Sequence, residues 1–293
     1  MGWGWGFGGD AGGSDAFGIG QSAAGPFVGA YDAIVNLVHV YEPARCTLSA
    51  YTGQPLVRLR RASDDAESDF SHVSASAPEL DLAAIAAWAG GASYYAKVYD
   101  QLGDDDLVQA TAGKQPLFSA NVQNSHAGAV LDGSNHAMEA TWTTGGALAQ
   151  PLSIYIAAAL DATAVNDNVR RYLFCDDNSE DTYARQREDQ TPNIFGVKAG
   201  GAFLNGNPTN VNWLLWSILL NGASSQFWHN TVSQASGNAG ANGMSGVTIG
   251  AYHTEISEYW KGTWSGWVVA SAAHSAAQRG AMETAMNAYW AAY

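Results

Sequence analysis

From about Asn121 onward the chain is written in short apolar runs, each fenced by Gly, Asn, Asp or Pro. AVLDGSNHAMEA, QPLSIYIAAAL, RRYLFCDD, NIFGVKAG, NWLLWSILLNG, SQFWHN and VTIGAY follow one another at strand length. Runs this short can bury their apolar faces only as sheets packed on one another. The pattern predicts an all-β, two-sheet sandwich. Helices are expected at two places besides. DLAAIAAWAGG reads as one, with Asp81 as N-cap and Gly90-Gly91 as its stop. The other closes the chain: it begins with a capping box from Ser275 to Gln278 and puts Met282, Ala285, Met286, Tyr289 and Trp290 on one face. A helical or mixed segment is also expected around Ala33, Ile34, Leu37 and Val38, before Pro43 interrupts the spacing.

The 293 residues suffice for one large domain, and 33 Gly with only 14% charged residues suit a sandwich with many turns. Acidic residues outnumber basic ones 27 to 13, and the net charge of −14 repels phosphate backbones and anionic lipid. No nucleic acid and no membrane partner is therefore expected, while neutral glycans, cations and other proteins stay open. WLLWSILL (Trp213–Leu220), the strongest apolar run, is too short to span a bilayer and reads as a buried strand. MGWGWGFGGD lacks the basic and apolar regions of a signal peptide, so synthesis in the cytoplasm is expected. Cys46 and Cys175 could pair or serve as separate packing residues.

A more specific signal lies between Ala50 and Phe118. AYTGQPLVRLRRASDDAESDF combines an aromatic-Thr-Gly turn, the alternating strand Leu56–Arg61, a Ser-Asp turn and an acidic return strand. After the short helix, YYAKVYDQLGDDDLVQATAGKQPLF runs as a strand into Tyr99-Asp100-Gln101, then through a loop to Gln115-Pro116. Together these resemble the signature that opens the catalytic domain of arabinofuranosidase B (VRRxSD … YDQxGxGN), which also fronts lectin-like domains of phage particle proteins. The stretch from Asn212 to Tyr252 is similar to the closing strands of concanavalin A-like (laminin-G-type) jelly rolls. The resemblance covers nearly everything after residue 40. It implies a concanavalin A-like jelly-roll β-sandwich over 26–293 with a few short helices, including the C-terminal one.

Arabinofuranosidase B is a retaining glycosidase, and that chemistry needs two carboxyl groups about 5 Å apart, one with a raised pKa. The matched block does not supply them. Candidates elsewhere are Asp132, Glu139, Asp161, Glu255 and Glu258, none in a context that matches the family. Asp132, in LDGSN, reads rather as a turn former. The loop Tyr99–Leu107 gathers Asp100, Asp104, Asp105 and Asp106, and carboxylates this close suit Ca²⁺. A solvated turn accounts for the same residues. Asp176, Asp177, Glu180 and Asp181 form a second acidic turn with the same two readings. No cofactor is required by anything in the sequence.

Sugar sites combine aromatic faces with planar polar groups. Of 11 Trp and 13 Tyr, Trp213, Trp216 and Trp267 sit inside apolar strands and read as core. Trp142, Trp228, Tyr252, Tyr259, Trp260 and Trp264 fall at strand ends or in polar loops, placed for a glycan or a subunit contact. Residues 1–25 alternate Gly with Trp3, Trp5, Phe7 and Phe17, too apolar to remain in water, and read as a segment docking on a partner.

The leading expectation is a virion-associated head or tail spike or fibre protein that binds host capsule or envelope polysaccharide without cleaving it. It would display the sandwich on the particle surface as a homo-oligomer, a trimer favoured, anchored to other virion proteins through residues 1–25. The alternatives are a retaining glycoside hydrolase or depolymerase of the same fold, and a purely structural capsid decoration protein.

Overall fold

The computed structural model describes residues 1–2, 27–74, 76–103, 105–143, 146–178, 181–253 and 257–293. The docking residues Trp3, Trp5 and Phe7 lie outside them, as do Asp104, Glu180 and Glu255. In chain order the strands are β1 (Leu37–Tyr41), β2 (Pro55–Arg61), β3 (Glu67–Ser74), β4 (Ala77–Leu80), β5 (Ser93–Val98), β6 (Leu107–Val108), β7 (Leu117–Gln123), β8 (His126–Asp132) and β9 (Met138–Thr141). They continue with β10 (Leu152–Leu160), β11 (Arg171–Cys175), β12 (Thr182–Arg187), β13 (Ile194–Ala199), β14 (Leu204–Pro208), β15 (Leu214–Leu220), β16 (Ser225–His229), β17 (Val232–Gly237), β18 (Gly246–Ile249) and β19 (Lys261–Ala270). The α-helices among the described residues are α1 (Leu82–Ala89) and α2 (Ala276–Trp290).

The ladders between these strands are antiparallel and build two layers. In the first, β19 pairs on one side with β10, which continues to β15, β16 and β17. On its other side β19 is shared, its start with β8 and its end with β1. The second layer runs β9, β18, β11, β12, β13, β14. The front block, β3–β2–β5, joins the layers, because β5 reaches β9 through β6 and β8 through β7. The sandwich expected from the run spacing is therefore present.

Strand alternation explains the core. On β10, Ile154 and Ile156 point between the layers, where they meet Leu173, Phe174, Phe195, Trp216 and Trp267. Tyr155 and Ala157 point to the opposite face, which is covered by α2 through Met282, Met286, Tyr289 and Trp290. Each such side chain contributes about 1.5–3 kcal/mol by leaving water. Both helices end as the sequence predicts. Asp81 accepts from Ala84 N–H and Gly90 takes the left-handed conformation after α1, and Ser275 and Gln278 form the reciprocal box on α2.

Of the helical and mixed readings of the segment around Leu37, the helical one is corrected: a turn leads into strand β1. Tyr31 to Ile34 make a single turn, after which Val38 and Tyr41 face the main core while Leu37 and Val40 face α2. Pairing with β19 satisfies its backbone and uses both of its apolar sides. No disulfide joins Cys46 and Cys175, and both are buried. Among the described residues no helix is long and apolar enough to cross a membrane.

Candidate functional site

The described carboxylates of the acidic loop, Asp100, Asp105 and Asp106, are held by donors of the scaffold. Asp100 is buried: its Oδ1 accepts from Val40 N–H at 2.9 Å and Leu102 N–H at 3.1 Å, and its Oδ2 lies 2.6 Å from His39 Nδ1. Asp105 accepts from the Thr143 hydroxyl at 2.6 Å, and Asp106 takes the Lys97 ammonium at 2.8 Å and Asp100 N–H at 2.9 Å. Next in the motif, Gln101 accepts from Thr47 N–H and donates to the Arg45 carbonyl, both at 2.8 Å. The YDQ signature is thus a buried clamp between β1 and the front block. The Ca²⁺ expectation for Asp100, Asp105 and Asp106 is corrected accordingly, and among the described residues no cluster of His, Cys, Asp or Glu is built to hold a metal. The second acidic turn is also occupied from within, with Ser245 donating to both Asp176 and Asp177.

The aromatic expectation is corrected at four positions. Trp260 and Trp264 are each 1% exposed, and Trp142 and Trp228 are also buried. Trp142 continues the inward face of Met138 and Ala140, stacks on His39 at 4.5 Å and donates to the Tyr41 hydroxyl. Strict alternation would put Trp264 and Trp267 on opposite faces of β19. A bulge opposite Ala157/Ala158 turns both into the core instead. Trp228 lies under the Arg279 guanidinium of α2, 3.9 Å from its ring centre. Tyr252 and Tyr259 are half-buried, and Tyr252 packs on Tyr172.

Two features stand out once these are removed. The first is a cleft of about 540 Å³ at the end of the first layer, which brings together Asp132 and Asp161 from the sequence candidates. Lys261 opens β19 opposite Asp132 on β8, and Asp161 N–H bonds the Lys261 carbonyl from the other side. The three residues therefore lie side by side where β8 ends, β19 begins and β10 has just ended. Val130, Ala159, Leu160 and Val211 supply the apolar lining. Gly133 holds φ +78° in the turn after Asp132, and a Cβ there would lie 2.7 Å from Lys261 Cβ, so the turn needs glycine.

The electrostatics of this cleft are fixed. Lys261 Nζ donates to the Thr163 hydroxyl at 2.5 Å and lies 4.0 Å from Asp161 Oδ1. The Thr163 hydroxyl and N–H both bond Asp161 and hold its carboxyl below the usual range. Burial pulls Asp132 upward, but the N–H groups of Asn135 and Ser134 outweigh it, and this carboxyl is lowered too. Asp132 is the turn former that LDGSN suggested. Neither carboxylate is the protonated acid that a retaining pair requires. Of the other candidates, Glu139 lines a polar cleft of about 360 Å³ with Asp106, and Glu258 is bound by Arg170 at 3.1 Å.

The second feature is a cluster of rings on the outer face of β11 and β12. Tyr172 meets Tyr183 edge-on at 5.0 Å and Tyr252 at 5.1 Å, and Tyr183 meets Phe203 at 5.7 Å. Arg185 packs against three of these rings, its guanidinium carbon 5.4, 5.6 and 4.8 Å from the ring centres of Tyr172, Tyr183 and Phe203. None of Tyr172, Tyr183, Arg185 or Phe203 was picked out from sequence. The available signal was the alternation Tyr183, Arg185, Arg187 in TYARQR, which places all three on one face.

No family model matches this sequence, and no curated protein matches it. Solved structures do. An arabinofuranosidase complexed with arabinofuranosyl-α-1,2-xylobiose is 16% identical, with 89% of this chain and 64% of that one covered at a TM-score of 0.68. A GH54 α-L-arabinofuranosidase soaked with a cyclic sulfate inhibitor is 15% identical over the same shares, at 0.65. The chain thus spans about two thirds of the length of these enzymes. At these identities the likeness is one of fold, and at that level it agrees with the resemblance carried by the block from Ala50 to Phe118.

Proposed function

We propose that this chain is a carbohydrate-recognition protein that holds a neutral sugar in the Asp132–Lys261–Asp161 cleft without cleaving it. The observation that carries the reading is the cleft itself: its volume, about 540 Å³, falls in the ligand-site range, with an apolar lining and a few convergent polar groups. Val130, Ala159 and Val211 suit the C–H face of a sugar, and the two carboxylates and the ammonium suit its hydroxyls. With two carboxylates against one ammonium, the cleft disfavours an anionic ligand. The fold shared with arabinofuranosidases supports carbohydrate as the ligand class.

The test is a calorimetric titration with neutral arabino-oligosaccharides, alongside an assay for new reducing ends. Lys261→Met is expected to weaken binding by about tenfold, the worth of a hydrogen bond to a charged group. Unchanged affinity in the variant would remove the cleft from the reading.

A second reading, a retaining arabinofuranosidase-like hydrolase or depolymerase, is supported by the same fold likeness. Release of arabinose that stops on replacing one carboxylate, Glu139 or Glu258 among those described, would establish it. The attachment role, a virion spike or fibre presenting this domain to host polysaccharide, is supported by the Trp-Gly sequence of residues 1–25.

A further inference from the structure

Arg185 is 6% exposed, yet its Nε and Nη1 are enclosed without a hydrogen-bond partner. Its nearest carboxylate oxygen, Glu188 Oε2, stays 3.7 Å from Nη1 and makes no hydrogen bond either. Glu188 is held elsewhere: its Oε1 accepts from Arg170 Nε at 2.9 Å and Nη2 at 2.7 Å. Arg170 also binds Glu258, and Arg187 is held by Asp189 and Asn205. Among the described residues Arg185 makes no hydrogen bond to a carboxylate, its contact with Glu188 being the 3.7 Å ion pair alone, and Lys198 Nζ lies 5.8 Å from the Tyr183 ring centre.

Ring faces hold a guanidinium's charge but leave its in-plane N–H groups unsatisfied. Keeping such donors buried and unused is costly, and a planar two-oxygen acceptor is the partner that satisfies them. Of the rings on the guanidinium, Phe203 is half-buried and lies in the connection after β13, not within a strand.

We propose that the Arg185 cluster is a subsite for a carboxylate-bearing sugar, a uronic acid unit of an acidic polysaccharide. The carboxylate takes the in-plane donors of Arg185, and Phe203 swings aside to admit the sugar and stack on it. The inference rests on the carbohydrate reading but uses a different face from the neutral cleft, so the two fail separately.

The probes are galacturonate and galactose, which differ at the C6 carboxylate, followed by the ¹⁵N signals of the arginine Nε–H groups in the full chain. Galacturonate is expected to shift the signal that disappears in Arg185→Lys, and galactose to leave it in place. Arg185→Lys keeps the charge and loses the fork, and is expected to weaken galacturonate binding by at least about tenfold. Lys198→Met, at a half-buried position, is expected to weaken it less and to leave the fold unchanged. A galacturonate response that survives Arg185→Lys unchanged, equal responses to the two sugars, or no response would overturn the subsite. If arabino-oligosaccharide binding persists meanwhile, the neutral cleft stands. Loss of that binding with the galacturonate response intact would overturn the cleft alone.

Discussion

Glu42 shows how much a single residue here depends on its surroundings. It is fully enclosed, its Oε1 accepts from the Tyr31 hydroxyl at 2.5 Å, and its Oε2 has no partner. A Cβ on Gly266 would lie 2.9 Å from its carboxyl carbon, so glycine on β19 makes room for it. Burial raises this carboxyl to about 7, against the opposing pull of Arg45 and the Tyr31 bond. The native state therefore keeps a proton that the unfolded chain releases above its ordinary value of 4.5. The stability from this group is full below 4.5 and is lost as pH rises through about 7. Glu42→Gln, which cannot ionise, is expected to flatten that decline and to exceed the parent at pH 8 by about 1–3 kcal/mol in urea unfolding. Identical pH profiles would mean that Glu42 is ionised in the native protein. His229 acts in the opposite direction. Burial lowers it to about 3, so its contribution is lost as pH falls from 6.5 toward that value, and comparing parent with variant isolates Glu42 from it.

At the scale of elements, legibility followed how local the signal was. The ends of α1 and α2 were readable because a cap is a bond between residues three apart. Ser275→Ala removes that bond on α2 and is expected to cost about 0.5–2 kcal/mol, read as a lower midpoint in urea with an unchanged slope. No change would mean that docking through Met282, Met286 and Trp290 fixes the helix without its cap. β1 was misread because Ala33, Ile34, Leu37 and Val38 also fit helical spacing, and only the partner strand β19 favours extension. Trp264 was misplaced for a related reason: the bulge that turns it inward exists only in the pairing of β19 with β10.

For the whole molecule, a net charge of −14 coexists with a face that sets Arg185 and Lys198 against the Tyr183 ring. Summed charge governs approach from a distance, whereas a site is decided within a few ångströms. Multivalency belongs to this scale as well. If residues 1–25 dock onto partner copies, the full chain is expected to form a symmetric oligomer and a 26–293 chain to be monomeric with the same melting temperature. Light scattering after size-exclusion chromatography reads the difference, and equal masses would remove the self-docking role of Trp3, Trp5 and Phe7. Polysaccharide retention should fall with the oligomer even though each domain keeps its site.

The sequence by itself determined the sandwich, its helix caps, the burial of Trp213, Trp216 and Trp267, and the turn made by Asp132, because period, turn residues and caps act over a few positions. Tertiary structure decided the sites. It buried four of the six aromatics expected at a glycan, closed the acidic loop around its own donors, and set Asp132, Lys261 and Asp161 side by side at the ends of three strands. Lys261 is 129 residues from Asp132 and 100 from Asp161, differences taken directly from their positions in the chain. Strand pairing brings such residues together, and a pairing is a property of two strands that neither strand's own residues specify.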